Sequence, residues 1–145
     1  MKKILVKRLY TYIKDNNPDL LLRLEESATL RLYLHNKIKA VEDLVHRLQE
    51  EGQPDHSIEQ ILLDELTKEL KPSKFNYIKN IIETEFTFKY KLLQASGTLV
   101  YEGVNLIAYC TELFESFEFN KGNAGNKKLK HAVTSAIGEY FDNNF

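Results

Sequence analysis

The chain has 145 residues, 43% hydrophobic and 28% charged, a length that fits one domain, residues 1–145, and a composition that excludes disordered, collagen-like and mucin-like chains. Its net charge of −1 gives no global attraction to nucleic acid or acidic lipid. One cysteine, Cys110, excludes a disulfide framework and multi-cysteine zinc modules, and six glycines with three prolines are too few turn residues for a β-sandwich.

Apolar residues recur at helical spacing along nearly the whole chain, so the predicted fold class is all-α. Leu5, Leu9, Tyr12 and Ile13 mark a first helix whose outer face carries Lys2, Lys3, Lys7, Arg8 and Lys14. That basic skin reads first as a solubilising face and second as a phosphate-contacting patch. The same charges break the apolar run that a signal peptide would need. Asn17 is placed to cap a second helix with Pro18 in its first position, where the missing N–H costs nothing. Ser27 offers a further cap. Leu30, Leu34, Ile38, Val41, Val45 and Leu48 fall on one stripe and predict one long helix that stops at Gly52.

Ser57 and Gln60 form a capping-box pair, and the stripe Ile58, Ile61, Leu62, Leu66 and Leu70 runs on to Pro72, which ends the helix. Ser73 caps the next helix, over 73–90, with Phe75, Ile78, Ile82 and Phe86 on its inner side. From Thr98 to Phe119 there is no Lys or Arg, and apolar residues lie on several sides, as expected of a helix at the centre of a bundle. Residues 120–126 read as a flexible loop. The last helix carries Leu129, Ala132, Val133, Ala136, Ile137, Tyr140 and Phe141. No internal repeat stands out. The expected architecture is an irregular bundle of five to seven helices with short turns.

Chemistry-bearing residues are sparse. His35 and His46 share a helix face but lie about 16 Å apart along it, too far to share a metal. Asp43 and His46 have the i, i+3 spacing of a carboxylate-bridged metal helix without the second half of such a site. Asp55, His56 and Ser57 are adjacent and cannot assemble a hydrolytic triad. Cys110, in the most apolar helix, reads as a small core hydrophobe. The expectation is therefore no catalytic residues, no metal and no cofactor.

Two binding readings remain. Phe117, Phe119, Phe141 and Phe145 form a candidate aromatic interface for a protein partner or a second copy of the chain. Residues 65–82 resemble a helix-turn-helix in outline, with Lys74, Asn76 and Lys79 on the second helix joined by Lys7 and Arg8 as candidate nucleic-acid contacts. That outline lacks the usual small residue, at Thr67, and the turn glycine, at Lys71. No stretch is long and apolar enough to span a bilayer, the longest uncharged run in the 98–119 region being Gly103 to Thr111. With a lone cysteine this points to a reducing cytoplasm.

The segment Leu70 to Phe86, LKPSKFNYIKNIIETEF, also resembles the signature of a small bacterial family of unknown function. Tyr12 with Pro18-Asp19-Leu20, and the Thr134 to Gly138 stretch of the last helix, extend the likeness over most of the chain. The family's alanine-rich stretch after the first turn is leucine-rich here. The resemblance implies an all-α fold of similar size, often encoded near conjugative or mobile elements, and brings no established activity and no functional residues.

Overall fold

The structure, a computed structural model, describes residues 1–145. It is all-helical, in agreement with the predicted class, but it holds ten α-helices rather than five to seven. Where length predicts one domain, the helices gather into two compact units, Met1–Lys71 and Pro72–Phe145, each with its own buried cluster.

In the first unit, Lys2–Asn16 (α1) buries Leu5, Leu9 and Ile13 and packs against Pro18–Glu26 (α2), Leu30–Ala40 (α3) and Asp55–Thr67 (α5). Glu42–Glu50 (α4) joins α3 and α5, and a 3-10 turn, Lys68–Leu70, follows α5. In the second unit, Lys74–Glu85 (α6) buries Phe75, Ile78, Ile81 and Ile82. It packs against Thr87–Ser96 (α7), Leu99–Tyr109 (α8) and Lys127–Asn144 (α10), while the short Thr111–Ser116 (α9) joins α8 and α10.

The extra helices come from single-residue breaks inside continuous apolar stripes. The predicted long helix through Leu48 divides at Val41 (φ −105°, ψ 5°). The 73–90 helix divides at Phe86 (φ −132°, ψ 49°), and the 98–119 helix at Cys110 (φ −95°, ψ 9°). Each break bends the backbone while its stripe stays buried or half-buried on both sides, so periodicity alone does not register it.

These breaks recur on one plan, the internal repeat that sequence reading passes over. Asn17 (φ −135°, ψ 55°) has its counterpart in Phe86, Thr29 (φ −113°, ψ 7°) in Thr98 (φ −109°, ψ 8°), and Val41 in Cys110, always 69 positions on. The α2–α3 and α7–α8 turns match atom for atom in pattern. Ala28 and Gly97 take the left-handed conformation, at φ 56° and 72°. Their N–H groups donate to Glu25 and Gln94, and the next N–H groups, of Thr29 and Thr98, donate back to Leu24 and Leu93, which is the Schellman arrangement. Ser27 bonds Thr29 through their hydroxyls at 2.6 Å, and Ser96 bonds Thr98 at 2.7 Å. The Ser27 hydroxyl also donates to Leu24, so Ser27 ends α2 rather than capping α3. A second such turn, at Gly52 and at Glu118 (φ 50°), closes α4 and α9.

Local expectations fare unevenly. Pro18 opens α2, but the Asn17 side chain donates to the Leu70 carbonyl (3.2 Å) instead of capping. Ser73 caps α6, accepting from Asn76 N–H at 3.0 Å. α5 starts at Asp55 with Pro54 before it, which places Ser57 inside the first turn and not at the cap. The 120–126 loop is organised by its asparagines: Asn123 Nδ2 donates to the Phe117 carbonyl at 2.6 Å, and Asn126 caps α10 by accepting from Leu129 N–H at 3.0 Å. Gly103 is required by a close approach, since a Cβ there would sit 2.5 Å from Phe75 Cε1.

A non-glycine residue in the left-handed region is strained, which sets opposite expectations at the two matched turns. Ala28→Gly should stabilise the first unit by about 0.5 kcal/mol, and Gly97→Ala should destabilise the second by about 1 kcal/mol. Urea unfolding followed by circular dichroism reads both, and equal signs would contradict the repeated turn geometry.

Candidate interaction surface

α8 has more apolar surface than its unit buries. Gly103, Leu106 and Ile107 turn inward, which is the part of the predicted bundle-centre helix that the structure supports. Tyr101, Asn105 and Tyr109 repeat at i, i+4, i+8 and so share another stripe. Tyr101 is 66% exposed and Tyr109 43%. α10 sets Tyr140 against this stripe: its ring meets Tyr109 edge-on with centroids 5.4 Å apart, and its hydroxyl donates to Glu102 Oε2 at 2.7 Å. The Glu139 carboxylate of α10 lies near the Tyr109 hydroxyl. Tyr109, Tyr140 and Glu102 thus make a connected cluster from α8 and α10, with Tyr101 on the same stripe and Glu139 beside Tyr109. On the adjoining α7–α8 hairpin, Phe88 (77% exposed), Leu92 and Val100 are also uncovered.

The phenols are tuned by this arrangement. Burial, then the hydrogen bond to Glu102 and its negative charge, push the Tyr140 hydroxyl up to about 12. Tyr109 is raised chiefly by the neighbouring Glu139 carboxylate, then by burial. Tyr140 is thereby held as a neutral donor to Glu102, which fixes its ring orientation.

The side chains singled out from sequence are distributed differently. Phe141 is buried, Phe117 and Phe119 pack against the core of the second unit, and only Phe145 is exposed, with Lys89 Nζ 4.1 Å from its ring centroid. These four do not make an exposed patch, because the helix carrying Phe141 turns that side to Phe86. Lys74 lies 5.5 Å over the Phe114 ring and, like Lys79, is half-buried. Asn76 is exposed beside the Ser73 cap. Lys7 is exposed, and Arg8 is engaged with Glu59 (3.6 Å) and Gln60 (3.5 Å). The 65–82 segment spans the end of one unit and the start of the other, and α6 is a packing hub with four buried residues.

Cys110 lies in the core, where burial pushes its thiol up to about 11, so it is held as the unreactive thiol. Asp43 and His46 are both exposed, and nowhere do three His, Cys, Asp or Glu side chains gather at metal-binding range. A separate cleft of about 500 Å³ in the second unit is lined by Glu85, Lys127, Lys130, His131, Thr134 and Ser135. No helix is long and apolar enough to cross a membrane. The tyrosine face was legible only as an excess: tyrosines at i, i+8 on a stripe already supplied with a buried side.

No family model, curated protein or solved structure matches this chain.

The raised Tyr140 value carries a pH dependence. A phenol that ionises later when folded contributes stability present in full below pH 10 and lost as pH rises from 10 to about 12. Tyr140→Phe should flatten the fall in urea midpoint across that window, relative to the parent chain. Parallel falls would show that the Glu102 bond does not hold Tyr140 neutral.

Proposed function

We propose that the chain is a non-enzymatic helical module that binds a protein partner through the tyrosine face of α8 and α10. The observation that carries this reading is the exposed pair Tyr101 and Tyr109 on one stripe of α8, backed by half-buried Tyr140 and Glu102 and by the exposed Glu139. Tyrosine offers a large rigid contact area at low entropic cost and is enriched where protein surfaces meet. The carboxylates fit a partner whose rim is cationic, since lysine and arginine are attracted both to carboxylates and to aromatic faces. A second copy of the chain is one such partner, and light scattering distinguishes it.

The double variant Tyr101→Ser, Tyr109→Ser leaves the buried side of α8 intact and should keep the parent's helical spectrum. Light scattering and affinity capture of parent and variant side by side provide the test. The expected result is an association, with self or with a captured protein, that the parent shows and the variant loses at least about tenfold. A strictly monomeric parent that captures the same proteins as the variant would refute the reading.

Nucleic-acid binding is the second reading, and what favours it is the cleft on α10 rather than residues 65–82. Lys127, Lys130, His131, Thr134 and Ser135 follow one helix face and all offer donors, with Glu85 opposing Lys130 at 3.6 Å. Phosphate-driven binding weakens steeply with salt. On this reading a fluorescent oligonucleotide binds at low salt, loses affinity as salt rises, and binds Lys127→Glu, Lys130→Glu poorly. An absence of binding at low salt removes the reading.

A further inference from the structure

The first unit carries a groove between α1 and the bend joining α3 to α4. Its lining comes from Lys2, Lys3 and Val6 on α1, His35, Ile38 and Lys39 on α3, and Glu42 on α4, around a volume of about 330 Å³. Half-buried Val6 supplies the apolar floor, and Ile38, almost wholly buried, closes it from below. A smaller hollow of about 180 Å³ adjoins it, sharing Lys2, Ile38 and Glu42 and adding Leu5 and Val45 to the apolar lining. The ion pair of Lys2 with Glu42, at 2.5 Å, belongs to both linings. Glu42 is the one carboxylate in either hollow and is already engaged, so Lys3 and Lys39 leave the mouth of the larger hollow cationic, with the His35 ring beside them.

The second unit serves as an internal control. Sixty-nine positions on, Val6 and Ile38 correspond to Phe75 and Ile107, so the apolar floor persists. The charged rim does not: Lys3, His35, Lys39 and Glu42 correspond to Pro72, Val104, Ala108 and Thr111, and of the rim only the lysine at Lys71 remains. The shared fold therefore forms without those charges. Their concentration around an open apolar floor in one unit alone is a feature of that site, and cationic rim over aliphatic floor is complementary to an organic anion with an aliphatic body.

We propose that this groove binds a medium-chain aliphatic carboxylate. The carboxylate lies between Lys3 and Lys39 with His35 beside them, and the chain rests on Val6 above Ile38 and continues past the Lys2–Glu42 pair toward the half-buried Val45. This site is independent of the tyrosine face, in residues and in ligand.

The test titrates the full chain with decanoate below its micelle concentration, following backbone amides by NMR. Acetate (the charge without the chain) and decanol (the chain without the charge) serve as controls. Decanoate should shift amides within 2–6 and 35–45 and bind at least about tenfold more tightly than either control. Lys39→Glu should weaken decanoate about tenfold, whereas Glu42→Gln, which frees Lys2, should strengthen it severalfold. The two substitutions act in opposite directions on exposed or half-exposed groups, so a folding defect cannot imitate the pattern. Decanol binding as tightly as decanoate, shifts lying elsewhere, or affinities unmoved by either substitution would overturn the proposal. An acidic helical peptide that displaces decanoate and binds more tightly at the same amides would also overturn it, by assigning the groove to a protein partner.

Discussion

Helices of nine to thirteen residues are marginal in water on their own, and most helices of this chain are of that length. Each persists because one apolar side is buried against the first helix of its unit or against that helix's neighbours. Leu5, Leu9 and Ile13 on α1, and Ile78 and Ile82 on α6, are wholly buried and supply that surface. The remaining geometry follows from bringing short helices back to it. A left-handed residue reverses the chain at Ala28 and Gly97, and a single-residue bend at Val41 and Cys110 turns an apolar stripe without interrupting it. The bends leave few groups unsatisfied, since Val41 N–H still reaches the Ile38 carbonyl and Cys110 N–H that of Leu106.

This explains what could be read in the chain and what could not. The inward residues of every helix were legible, because a stripe is a sum over many side chains and tolerates local error. Helix number was not, because the breaks at Val41, Phe86 and Cys110 lack the Gly, Pro or capping residue that marks a helix end. The repeat was hidden for a similar reason. Its halves share the turn residues Leu24, Ser27, Thr29 and Leu30 with Leu93, Ser96, Thr98 and Leu99, but the core partners differ: Val6 and Leu34 in one, Phe75 and Gly103 in the other. Large and small have changed places, which erases the likeness. Among candidate site residues, the four phenylalanines were misplaced because Phe141 serves the core. The tyrosine stripe of α8 was read as burial, because an aromatic residue on a second helix side has the same spacing whether it is covered or exposed.

Two copies of one plan make the differences between them informative. Some packing positions keep their residue in both units, as at Ile13 and Ile82 or Ile38 and Ile107. Where they part, the surface changes character: Leu32 and Ala40 on α3 correspond to Tyr101 and Tyr109 on α8, and His35 and Lys39 to Val104 and Ala108. The proposed protein-binding face and the proposed carboxylate groove both lie at such positions, on the third helix of each unit.

The claim beneath this account is that the chain folds as two five-helix units with matching breaks. Backbone chemical shifts and three-bond amide–α couplings from solution NMR test it most directly. The account predicts helical shifts interrupted at 17, 28–29 and 41 and again at 86, 97–98 and 110, with a positive-φ coupling at Ala28. Unbroken helical shifts through residues 30–50 and 74–96 would contradict it.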